Sequence, residues 1–156
     1  MTQQQTSDLI KKYTERWNNE KRKPPLWVVG AHPGDSICIP GLTFANKGDM
    51  KAGMEILISA QVIVLNQDML PDSIASTFLH EYGHALHRNS KAGSIDWVES
   101  EIDAIKFSLS ALSEEGLDDI AYREAATVLQ MTSDEPYKSA VSRLSEDPVW
   151  KKFSRH

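Results

Sequence analysis

His80, Glu81 and His84 stand in the order His-Glu-x-x-His within the stretch "LHEYGHALHR". On a helix, positions i and i+4 lie about 40° apart and one turn along the axis, so two imidazoles at this spacing can reach one ion. The glutamate directly after the first histidine is carried beside that ion, where it can take a proton from water. The helical wheel supports a built face. Ile74, Ala75, Phe78, Leu79, Tyr82, Ala85 and Leu86 fill one half. His80, His84 and His87 share the other with Ser73, Ser76 and Thr77, and the apolar stripe is unbroken.

His87 is the obvious third histidine, but it lies seven residues beyond His80, about 10 Å along a helix axis. Three imidazoles spread over that length do not converge on a tetrahedral ion with bonds of about 2 Å. A supporting role beside the metal is expected for His87. His32, in "GAHPGD", reads as a loop histidine that is structural or exposed.

The missing ligand is expected on the next helix, where Glu99, Glu101 and Asp103 compete. Glu99 and Asp103 fall with Lys106 and Ser110 on a solvent face. Glu101 falls among Trp97, Ala104, Ile105 and Leu112, in the apolar arc. A carboxylate there is costly unless a cation neutralises it, so Glu101 is the expected ligand. The bland alternative is a buried ion pair with a residue such as Arg123. Two histidines, one glutamate and an open fourth position describe a catalytic zinc, whereas structural zinc is usually closed by four protein ligands.

The elements that must position these groups follow from the patterning. Residues 7 to 19 read as a helix with Leu9, Ile10, Tyr13 and Trp17 on one face, capped by Ser7 or Asp8. From Leu26 to Leu65, short β-rich runs (LWVV, SICI, LTF, MEILISAQVIVLN) alternate with glycines, which predicts antiparallel hairpins. Helices are expected from Pro71 to about Arg88, over about Ile95–Leu112 and Asp118–Met131, and over Tyr137–Leu144. The expected fold is therefore α+β: an N-terminal helix, a small mainly antiparallel sheet, then a helical half. With 156 residues, a single domain spanning 1–156 is expected.

Composition narrows the function classes. A formal net charge of −5 leaves no footprint for nucleic acid. One cysteine, Cys38, excludes a disulfide framework or a Cys-based zinc cluster. The polar start "MTQQQTSDL" carries no secretory pattern, and the longest apolar run is too short to span a bilayer. A cytoplasmic protein with no membrane association is the expectation.

The stretches "QVIVLNQDMLPDSIASTFLHEYGHALH" and "ESEIDAIKFSLSAL" resemble the ImmA/IrrE family of zinc metallopeptidases. There a strand and short loop lead to an HExGH helix, and a following helix carries an ExxA..F pattern. Gly83, Glu101, Ala104 and Phe107 occupy the corresponding places, and the likeness covers roughly residues 55 to 112. The resemblance implies Zn2+ as cofactor and a specific protein or peptide as substrate, often a transcriptional regulator.

The expected chemistry is hydrolysis of a peptide bond. Zinc would lower the pKa of water towards about 7, and Glu81 would relay its proton to the leaving amine. One further donor would stabilise the oxyanion; Tyr122, Tyr137 and His32 are the candidates. An edge strand near Ser59–Leu65 could receive an extended peptide. Two rivals stand beside this reading. One is a catalytically inert metal-binding module of the same fold. The other is a SprT-like DNA-associated protease, for which a third histidine ligand and a basic region would be expected.

Overall fold

The computed structural model describes residues 1–22, 25–31, 37–39, 42–44, 61–66, 69–90 and 96–155. In chain order the elements are α1 (Gln3–Asn19), β1 (Leu26–Ala31), β2 (Ile37–Ile39), β3 (Leu42–Phe44) and β4 (Gln61–Asn66), then α2 (Pro71–Ser90), α3 (Trp97–Glu114), α4 (Asp118–Gln130), α5 (Tyr137–Leu144) and α6 (Pro148–Ser154). The chain forms two compact units, Met1–Phe78 and Leu79–His156. Among the described residues no helix is long and apolar enough to cross a membrane.

The first unit starts earlier than the sequence suggests. Thr2, not Ser7 or Asp8, caps α1: its hydroxyl accepts from the Gln5 amide, and the Gln5 side chain accepts from the Thr2 amide. This reciprocal cap satisfies two amides that the first turn leaves without helical partners. Leu9, Ile10, Tyr13 and Trp17 are buried, as their spacing predicts. Leu26, Val28, Ile63 and Leu65 are buried from the strands, and Phe78 meets Tyr13 edge-on at 6.4 Å.

The expected α+β class with a small mainly antiparallel sheet is overturned. Most described residues are helical, and the longest strand pairing is parallel. β1 and β4 run side by side from Leu26↔Gln61 to Ala31↔Asn66. Among the described residues, antiparallel pairing is confined to Gly30↔Cys38 and the three pairs of β2 with β3. The strand order is β3-β2-β1-β4. Alternating apolar residues report a half-buried strand without reporting its direction, and glycines between strands are equally compatible with a crossover. The part of the expected run MEILISAQVIVLN that precedes Gln61 lies outside the described residues.

The second unit is helical. α3 is capped by Asp96, which accepts from the Val98 and Glu99 amides. It stops at Gly116, whose φ of +76° is a conformation that side-chain-bearing residues resist. There the Gly116 amide donates to Ser113 and the Leu117 amide to Leu112, closing the helix end in a Schellman pattern. α4, α5 and α6 pack against α3. The helix α6, not anticipated from the sequence, follows Asp147 as N-cap with proline in its first turn. Trp97, expected within the apolar arc of α3, is 62% exposed: it sits in the first turn, beyond the reach of the packed face.

α2 and α3 cross closely at Gly83. A Cβ built there would stand 2.7 Å from the Ala104 Cα and 3.2 Å from the Phe107 Cβ. Beside this crossing, Tyr82 stacks on Phe107 with centroids 5.2 Å apart. In a Gly83→Ala variant, helix propensity favours alanine by about 1 kcal/mol, but the obstacle is backbone and overpacking costs about 1–3 kcal/mol. The variant is expected to be net destabilised by up to about 2 kcal/mol, read from denaturant unfolding of the metal-free protein.

Candidate metal centre

Local sequence places the groups before packing joins them. His80 and His84 lie one turn apart on α2, which opens with Pro71 and has Asp72 in its first turn, where a negative charge suits the helix dipole. Ser100 and Glu101 follow the Asp96 cap on α3 by one turn and are both buried. The Gly83 crossing brings these two helix faces within side-chain reach.

His80, His84 and Glu101 each offer a ligand atom, and these atoms lie within 4.8 Å of one another. His80 Nε2 is 2.6 Å from Glu101 Oε1, and His84 Nε2 is 3.1 Å from Oε2. The imidazoles meet edge to face, with centroids 4.9 Å apart. Each ring turns its other nitrogen to the protein. His84 Nδ1 is 2.8 Å from Ser100 Oγ, and His80 Nδ1 is 3.6 Å from Glu124 Oε1.

The residues fit a divalent metal. His80 Nε2 and Glu101 Oε1 are buried atoms without a hydrogen-bond partner, although they lie 2.6 Å apart. Two groups so close yet not aligned as donor and acceptor are what a shared cation would satisfy. Two imidazole nitrogens with one carboxylate form a donor set suited to zinc and similar ions. Without metal, a proton takes the cation's place. Burial works to lower the His80 pKa, but the carboxylates of Glu101 and Glu124 outweigh it and raise the pKa to about 10. Burial likewise works to raise Glu101, yet His80 and His84 hold it down at about 2.

The remaining expected residues separate clearly. Glu81, the expected base, is partly exposed, and its charge acts on Tyr137. Tyr137 stands close enough to Glu101 to feel its carboxylate. Burial first, then the Glu101 and Glu81 charges, push the Tyr137 pKa up to about 12. Tyr122 packs edge-on against Phe153 at 5.0 Å. His87 is buried and its Nδ1 is 2.6 Å from Asp103 Oδ2, so it ties α2 to α3 and is not in the ligand cluster. Glu99 and Asp103 are exposed, as is Arg123, whose Nε donates to the Asp119 carbonyl. His32 lies outside the described residues.

Sequence reasoning overlooked Glu124, although the signal was there. On α4 it shares the buried face of Ile120, Ala121, Ala125 and Val128, the same anomaly that singles out Glu101. Ser108 donates to its Oε1 at 2.9 Å. Burial pushes the Glu124 pKa up against the opposing influence of His80 and Ser108.

Comparison with protein-family models, curated proteins and solved structures gives no match.

A His80 pKa near 10 in the metal-free protein gives metal binding a definite pH dependence. The ring is protonated at pH 7 and must lose that proton to become a ligand. Zinc titration calorimetry in buffers of differing ionisation enthalpy should show release of about one proton at pH 7. Apparent affinity should rise about tenfold per pH unit between pH 7 and 9. The sign for stability without metal is the reverse. The His80 contribution is full below pH 6.5 and is lost as pH rises through about 10.

Proposed function

We propose that this chain is a zinc-dependent, ImmA/IrrE-like metallopeptidase of the cytoplasm that hydrolyses a peptide bond in a specific protein substrate. The observation that carries the reading is the convergence of His80, His84 and Glu101, with Glu81 placed directly after the first ligand. A metal-holding module without chemistry has no need of a carboxylate at that position.

Zinc held by these residues would supply Lewis acidity, lowering the pKa of water towards about 7 and polarising a carbonyl. The chain's own groups do the rest. Ser100 orients His84 through its Nδ1. Glu81 accepts a proton from water as its oxygen attacks the carbonyl carbon, then delivers that proton to the amine as the C–N bond breaks. Tyr137, which stands close to Glu101, is the described candidate for donating a hydrogen bond to the developing oxyanion. The resemblance to regulators that cut one protein supports a narrow substrate range.

Glu81→Gln should keep full zinc content while hydrolysis of peptide and protein substrates falls by about 10²–10⁴-fold. Cleavage equal to wild type, or none from either protein across a broad peptide library, would favour an inert metal-binding module. Tyr137→Phe should lower kcat by about 10²-fold with KM little changed; a change confined to KM would remove Tyr137 from the oxyanion role.

A further inference from the structure

We propose that Glu124 is a positioning residue for the metal centre: its carboxylate receives the Nδ1 proton of His80 and holds that ring with Nε2 presented as the ligand. The inference rests on the reading of His80, His84 and Glu101 as a metal site, and does not require that the site cut peptides.

Neutral imidazole carries one proton, and whichever nitrogen bears it cannot bind metal. His80 faces a carboxylate on each side: Glu101 Oε1 is 2.6 Å from Nε2, and Glu124 Oε1 is 3.6 Å from Nδ1. Once Nε2 binds a cation, Nδ1 is the only nitrogen left to hold the proton, and Glu124 is the acceptor beside it. His84 Nδ1 also faces an oxygen, and more closely: Ser100 Oγ at 2.8 Å.

Glu124 is itself held in place. It is 8% exposed, and the Ser108 hydroxyl donates to the same Oε1 that faces His80. Its Oε2 is buried without a hydrogen-bond partner. A carboxylate buried with half its acceptor capacity unused is an expensive feature, and a packing role at this position would be met by leucine or methionine. Because one oxygen makes both contacts, a glutamine carbonyl can replace it. An alanine cannot. Removing such an outer partner of a metal-bound histidine typically weakens metal binding by about 10–100-fold.

The test is competitive zinc titration of wild type, Glu124→Ala, Glu124→Gln and Ser108→Ala. It is paired with long-range ¹H–¹⁵N NMR of the His80 ring in the zinc-loaded proteins. Glu124→Ala should bind zinc about 10–100-fold more weakly, with its Nδ1 proton exchanging rapidly with water. Glu124→Gln should stay within about threefold of wild type and keep a slowly exchanging Nδ1 proton, a rescue that mere cavity formation does not explain. Should Glu124→Ala fail to fold, Ser108→Ala decides by the same readouts, with about a three- to tenfold loss expected. Unchanged affinity and Nδ1 exchange in Glu124→Ala (or in Ser108→Ala where it decides), or a Gln variant as weak as the Ala variant, overturns the proposal. Zinc binding by wild type with Glu124→Ala unaffected sinks the Glu124 role alone; no zinc binding by wild type sinks the site reading with it.

Discussion

A carboxylate buried on an apolar helix face must be neutralised, and the helical unit is organised around that requirement at Glu101. Only 5% of this residue is exposed, and the cost of leaving its charge unpaired would be several kcal/mol. Two imidazoles answer it, each at the opposite end of the same carboxylate. The arrangement works with a proton or with a metal dication, but the two compete for the same nitrogen. The proton that stabilises the metal-free fold is the one that binding must displace.

That electrostatic solution depends on a steric one. His80 and His84 reach Glu101 because α2 and α3 approach at Gly83, where even a methyl group would meet the Ala104 backbone. The Tyr82–Phe107 stack beside the crossing and the His87–Asp103 bond further along α2 hold the same pair of helices together. Around this pair, α4 brings Glu124 behind His80, and α5 brings Tyr137 close to Glu101. The centre thus draws on four helices, although its candidate ligands come from two.

Much of the site was legible because it rests on local periodicity. The i, i+4 histidines and the exclusion of His87 follow from helix pitch, and Glu101 follows from its place among apolar neighbours. Glu124 obeys the same rule on α4, where it shares the buried face of Ile120, Ala121, Ala125 and Val128. The two tyrosines were not separable in this way. Tyr122 and Tyr137 both lie in predicted helices, and which of them meets Glu101 depends on how α4 and α5 pack on α3.

What the sequence determined by itself was the content of each segment: strands between Leu26 and Asn66, helices after Pro71, and a face carrying two histidines one turn apart. Those features are written in spacings of two and of three to four residues, which the backbone reads within a few turns. Tertiary structure decided the relations between segments. It made β1 and β4 parallel neighbours, left Trp97 exposed, placed Glu124 behind His80 and gave Tyr137 to Glu101. Such relations join residues far apart in the chain, and periodicity carries no information about which face meets which.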